Sequence, residues 1–92
     1  MIVVPLHHYF RPDHLEQVVE QMRTLGPPRI RGYFDQEVGV WYAFEGTHRL
    51  RAAKILGPTP VLVPSRWVKG RKALARARFA VAMRGHVFDV AS

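Results

Sequence analysis

Cysteine is absent from this chain of 92 residues. That absence excludes disulfide bonds, thiolate metal ligands and a thiol nucleophile. Long apolar runs are also missing, since no stretch approaches the about 20 residues that a membrane-spanning helix needs. The first residues have neither the basic region nor the long apolar stretch of a secretory signal. We therefore expect a cytoplasmic protein without a membrane partner.

Acidic residues are scarce, with 7 against 14 lysine and arginine residues, and the net charge is +7. The excess is concentrated after residue 64, where seven basic residues meet a single acidic one, Asp89. Such asymmetry favours a polyanionic partner, and nucleic acid before others. The alternatives are an acidic protein partner or a basic surface that serves only solubility.

The apolar pattern predicts one small domain of the α+β class. Leu15, Val18 and Met22 recur at helical spacing, and Asp13 with Glu16 has the spacing of a capping box at the helix start. The predicted order is β-α-β-β-α-β-α, a small mixed sheet of about four strands with three helices. Residues 1–68 form the main part, and residues 69–92 form a basic helix and tail packed on the same domain. The last helix is expected from about residue 68 to 84, after which the chain either adds a short strand or frays.

Residues 42–57 read YAFEGTHRLRAAKILG and predict a strand that breaks at Gly46 and restarts as a helix. The first turn of a helix leaves backbone N–H groups unpaired and carries partial positive charge, so it can bind a phosphate. Gly46 permits a positive φ and a close approach of the anion. Thr47 is a natural N-cap, His48 can donate or accept, and Arg49 can give two parallel hydrogen bonds to phosphate oxygens. The alternative is a purely structural junction, in which Thr47 caps the helix, Gly46 turns the chain and Arg49 pairs with Glu45.

The same stretch resembles the signature box of the ParB/sulfiredoxin superfamily, which carries G-x-H-R or G-x-R-R before an alanine-rich helix that ends in Leu-Gly. Other segments resemble that family's layout, so that the resemblance covers residues 2 to about 68: VVPLHHYFRPDHLEQVVEQM, PPRIRGYF, VWYAF and TPVLVP. The resemblance implies a compact domain that binds the phosphates of a nucleotide (CTP or ATP/ADP, with or without Mg²⁺) at Gly46, Thr47, His48 and Arg49. It also implies that Arg11 and His8, in the loop after the first strand, border the nucleotide.

The chain departs from two branches of that superfamily. Sulfiredoxins have a catalytic cysteine where this chain has Thr47, so their reductase chemistry is excluded. Chromosome-partitioning ParB proteins continue into helix-turn-helix and dimerisation domains, which we do not expect here. Other relatives, among them an ADP-dependent serine kinase, carry an acid before the glycine, as Glu45 does in this chain. By that similarity Glu45 would bind Mg²⁺ or act as a base, and the alternative is a surface carboxylate in a salt bridge.

The predicted contact with nucleic acid consists of basic residues in the last third of the chain: Arg66, Lys69, Arg71, Lys72 and Arg76. Lys69, Lys72 and Arg76 fall on one face of the predicted helix and could follow a phosphate backbone. Trp67 either stacks on a base or docks the last helix. No metal site is predicted, because His7 and His8 are adjacent in an extended segment and point in opposite directions.

Three functions fit these features. The first is a DNA-associated domain, DNA-binding or regulatory, that binds a nucleotide or another phosphate and acts alone, as a homodimer or with a protein partner. The second is a small phosphotransferase, nucleotidase or nuclease that uses Glu45 and the box at residues 46–49. The third is an interaction module without catalysis, in which the box is only a turn.

Overall fold

Helices and strands follow one another in the predicted order, and a computed structural model of the chain describes residues 1–7, 9–82 and 87–90. The elements are β1 (Ile2–Pro5), α1 (Pro12–Leu25), β2 (Arg29–Asp35), β3 (Val40–Ala43), α2 (Thr47–Leu56), β4 (Val61–Pro64), α3 (Arg71–Ala82) and β5 (Phe88–Asp89). The α+β class is confirmed. The described residues form five strands, one more than expected, because the chain after α3 adds β5. In these ranges no helix has the length and hydropathy needed to cross a membrane.

The mixed sheet has the strand order β4-β2-β3-β1-β5. β1 runs parallel to β3, whereas β2 runs antiparallel to β3 and parallel to β4. The carboxyl ends of β1 and β3 therefore meet the amino end of β2 at one edge of the sheet. We call this the carboxyl edge, and α2 begins there directly after β3.

Helices cover both faces of the sheet. On one face, Val3, Ile30 and Trp41 pack around Leu50 of α2, and α1 packs in turn on α2. On the opposite face, Val4 and Tyr42 pack with the side of α3 that carries Ala77, Leu74 and Val81. The alternation of inward and outward residues along β1 and β3 thus supplies two cores, one on each side of the sheet.

Two helix starts differ from the expectation. The N-cap of α1 is Arg11, with Pro12 as the first helical residue, so Asp13 lies within the first turn and forms no capping box. The structure begins α3 at Arg71, since Gly70 before it has a positive φ of 84°. Lys69 consequently precedes the helix. Trp67, which could have stacked on a base, instead packs against Tyr33, Tyr42 and Phe44 and so docks the start of α3 on the sheet.

A buried carboxylate fastens α3 to the sheet. Asp35, at the end of β2, is 1% exposed and accepts hydrogen bonds from the Arg78 guanidinium at 2.8 and 3.2 Å. The Tyr42 hydroxyl and the Glu37 backbone N–H also donate to it. Burial and the charge of Asp35 raise the pKa of Tyr42 to about 12, so its hydroxyl remains a donor. Arg78 thus contributes to the packing of α3 on the sheet.

At Gly32 the backbone of β2 lies close to the Tyr42 carbonyl and to the indole of Trp41. A Cβ at this position would lie 2.1 Å from the Tyr42 carbonyl oxygen and 2.4 Å from the Trp41 ring. Backbone and a buried indole cannot move aside as a flexible side chain can. Glycine is therefore required in the middle of β2 for steric reasons alone.

Gly32→Ala is expected to destabilise the domain by about 3 kcal/mol or more, because the added methyl group overpacks the core. The matched control is Gly39→Ala in the turn between β2 and β3, where φ is 69° and a Cβ would meet nothing within 4 Å. Backbone strain alone should cost about 1 kcal/mol there. Urea unfolding of both variants measures the difference, and equal losses would contradict the steric argument.

The stability of the domain should depend on pH through Asp35. The Arg78 guanidinium, with the Glu37 N–H and the Tyr42 hydroxyl, holds the pKa of that carboxyl below its ordinary value of 3.8, against the opposing effect of burial. Asp35 therefore stabilises the fold fully above the unfolded pKa, and this contribution is lost as the pH falls through the lower folded pKa. Urea unfolding between neutral and strongly acidic pH should show a weaker acid dependence for Asp35→Asn. The exposed carboxylate variant Asp13→Asn serves as the control, and identical slopes for both variants would refute this assignment.

Candidate functional site

The first turn of α2 lies at the carboxyl edge and is the centre of the candidate site. Gly46 is the N-cap in the left-handed conformation, with φ 106° and ψ 20°, and its carbonyl accepts the Leu50 N–H at 2.8 Å. No described side chain caps this turn. A helix has no intrahelical partners for its first backbone N–H groups, and the helix dipole adds positive charge at the same place.

Thr47 was expected as the N-cap, and this is wrong. The left-handed Gly46 takes the cap position, so Thr47 becomes the first helical residue and is only 4% exposed. Its hydroxyl donates to the backbone carbonyl of His7. That bond ties the end of β1 to the start of α2, which gives Thr47 a clear structural role.

Gly46 is explained by the turn and its packing. Its positive φ favours glycine, and a Cβ would lie 2.9 Å from Cδ1 of Ile30. The space beside its Cα is therefore occupied by a core side chain. Gly46 sets the direction of the first turn, and its missing side chain is not by itself a sign of ligand contact.

His48 organises the loop between β1 and α1. Its Nε2 accepts the backbone N–H of Arg11 at 3.0 Å, and its ring stacks on Phe10 and meets the edge of His14. Burial lowers the pKa of His48, and the charges of His14, Arg51 and Arg11 lower it further while Asp13 opposes them. His48 is therefore neutral near pH 7, and an acceptor at Nε2 places its proton on Nδ1, where it can donate.

Arg11 and Arg49 are exposed arginines, the first at the N-cap of α1 and the second in the first turn of α2. The Arg11 guanidinium pairs with Asp13 at 2.9 Å. The Arg49 guanidinium donates to the carbonyl of Arg29 at 3.1 Å, and no ion pair within the described ranges joins it to Glu45. Glu45 itself is exposed beside Gly46. The ion pair of Arg11 with Asp13 is exposed, and exposed ion pairs contribute little stability, so another anion can replace Asp13 there.

Further cations surround the carboxyl edge. The Arg31 guanidinium lies 5.5 Å from the centre of the Phe44 ring, and the Lys69 Nζ lies 6.0 Å from it. The Arg51 guanidinium lies over Phe10 at 4.3 Å. Because these charges rest on aromatic rings two residues before Gly46 and in the β1–α1 loop, they make the surroundings of the first turn electropositive.

All five predicted nucleic-acid residues are exposed, and they lie in α3 and in the segment before it. Arg71 and Lys72 are exposed in the first turn of α3, and Arg66 is exposed before Trp67. Lys69 and Arg76 line a groove between α3 and the end of β1. The expectation of one helical face that includes Lys69 fails because Gly70 delays the start of α3.

Two further predictions concern a metal site and His8 in the loop after β1. Among the described residues there is no group of three or more His, Cys, Asp or Glu side chains that could hold a metal ion. His8, predicted to border the nucleotide, lies outside the described residues. Sequence reasoning missed the His48–Arg11 bond and the role of Phe10, for which the stretch around residue 10 carries no periodic signal.

Comparison with protein families, curated proteins and solved structures found no match to this chain.

Proposed function

We propose that this domain binds the phosphate groups of a nucleotide at the first turn of α2, in the manner of a ParB-like domain, and contacts DNA through its basic helix α3. The observation that supports the nucleotide part is the first turn of α2, which no described side chain caps and which lies at the carboxyl edge near several cations. Ligands of α/β sheets commonly bind outside the carboxyl ends of parallel strands, which is where β1 and β3 end.

In this proposal the residues around the first turn of α2 contribute to nucleotide binding in different ways. The backbone N–H groups of Thr47, His48 and Arg49 bind phosphate oxygens, and the side chains of Arg11 and Arg49 neutralise them. His48 holds the β1–α1 loop against the turn and offers its Nδ1–H. Where the nucleotide is CTP or ATP/ADP with Mg²⁺, the exposed Glu45 would hold the ion, which would draw charge from the phosphates.

The DNA part is supported by the charge at the start of α3. Arg71 and Lys72 occupy the first turn, where the helix dipole disfavours positive charge, and no acidic residue is present there. The stability of α3 alone therefore does not explain why two cations occupy its first turn. A phosphate backbone along the first turn would offset both the dipole and the mutual repulsion of the two cations, with Arg66 beside them. Such a protein would act in the cytoplasm on accessible DNA.

Nucleotide binding should weaken on the order of tenfold in Arg11→Gln and in Arg49→Gln, since each removes a charged hydrogen bond to phosphate. The matched control is Arg23→Gln, an exposed arginine in the last turn of α1 that pairs with Glu20. Calorimetry with CTP, ATP and ADP, with and without Mg²⁺, measures these affinities. The proposal fails if no nucleotide binds or raises the melting temperature at millimolar concentration. Loss of nucleotide turnover in Glu45→Gln would instead indicate an enzyme.

DNA binding should depend on salt and on the first turn of α3. The double variant Arg71→Gln/Lys72→Gln should weaken binding to arbitrary DNA and reduce the slope of log affinity against log salt by about 2. Arg23→Gln/Lys54→Gln removes the same charge from exposed positions on α1 and α2 and should leave the slope nearly unchanged. Fluorescence anisotropy across a salt series gives both slopes. Equal effects of the two pairs would mean that net charge alone attracts DNA.

A further inference from the structure

A groove of about 360 Å³ separates α3 from the end of β1. Its floor is apolar and includes the buried Val4 and the half-buried Ala73 and Ala80. Its rim carries Lys69, Arg76 and His7. The first turn of α2 does not line this groove, although the His7 carbonyl at its rim accepts the Thr47 hydroxyl.

The groove exists because α3 presents small side chains towards β1. Ala73, Ala77 and Ala80 lie on that side of the helix, whereas larger side chains fill the contact with the rest of the sheet. The helix cannot tilt to close the gap, since Arg78 holds it to the buried Asp35 and Trp67 docks its start. The gap beside these small side chains leaves apolar surface available to a ligand.

The charges around the groove select the ligand. Lys69 and Arg76 both line it, and no acidic residue lies among the described residues that do so. An anion entering between them would be attracted by two charges beside an apolar floor, where electrostatic interactions are stronger than in open water. The volume is at the small end of ligand pockets, which span roughly 300 to 1,000 Å³. Inorganic phosphate would leave most of this volume and the apolar floor unused.

We propose that this groove binds a small organic anion with one carboxylate or phosphate monoester group on a flat apolar body. Lys69 and Arg76 hold the anionic group, and the body lies on the alanine side of α3 against Val4. The assignment does not rest on nucleotide binding at α2. In this assignment Lys69 and Arg76 bind the small anion, and Arg71 and Lys72 remain the proposed contacts with DNA.

Calorimetry of the full chain with phenyl phosphate, benzoate and inorganic phosphate tests this assignment. Phenyl phosphate, benzoate or both should bind at one site and at least about tenfold more tightly than inorganic phosphate, because only they can use the apolar floor. The tighter of the two organic probes identifies the preferred anionic group. Lys69→Gln/Arg76→Gln should lower that affinity about tenfold or more, as expected for lost charged hydrogen bonds. Arg23→Gln/Lys54→Gln, with the same charge change at exposed positions on α1 and α2, should leave it unchanged.

A second variant fills the groove without changing its charge. Ala80→Leu should abolish binding of the organic probe while the melting temperature and nucleotide affinity show that the fold and the α2 turn are intact. Retained binding in Ala80→Leu, equal affinity for inorganic phosphate, or an equal loss in Arg23→Gln/Lys54→Gln would each overturn the proposal. Competition between the organic probe and a nucleotide would place both in one site and would also overturn it. If the organic probe binds and no nucleotide does, the proposed nucleotide site at α2 is refuted and the proposal for the groove stands.

Discussion

The ion pair between Asp35 and Arg78 determines where the last third of the chain can lie. A carboxylate that is 1% exposed is tolerated only when hydrogen bonds and an opposite charge replace its hydration, and here three groups do so. Because one of these groups comes from α3, the helix is held in a single position over the sheet. The groove beside β1 and the outward position of Arg71 and Lys72 both follow from that position.

On the other face of the sheet, the position of α2 depends on the parallel pairing of β1 with β3. Parallel strands bring their carboxyl ends together, so the chain leaving β1 and the chain entering α2 meet at one edge. The Thr47 hydroxyl and the His48 ring then hold the chain after β1 through backbone atoms of His7 and Arg11. If the proposed nucleotide binds there, the N–H groups of the first turn would already be oriented by the helix, which would lower the entropic cost of binding.

The sequence predicted elements better than it predicted contacts. The spacing of Leu15, Val18 and Met22 identifies α1 because an apolar stripe at helical period is a local property. The sequence does not decide whether the chain after α3 forms β5, because a strand of two residues has no period to detect. The N-cap of α2 is Gly46, one residue before the predicted Thr47. Backbone conformation, and not the capping tendency of Thr47, decides where this helix begins. The pair of Asp35 with Arg78 joins residues 43 positions apart, and no short pattern encodes it.

The two tryptophans of the chain are divided between the two cores. Trp41 packs with Leu50 on the side covered by α2, whereas Trp67 packs with Tyr42 and Phe44 on the side covered by α3. Each indole is therefore an intrinsic fluorescent reporter of one layer. Replacing one tryptophan by phenylalanine leaves a signal from the other layer only, so the emission of the two single-tryptophan forms distinguishes a domain that melts as one unit from a domain in which α3 detaches first.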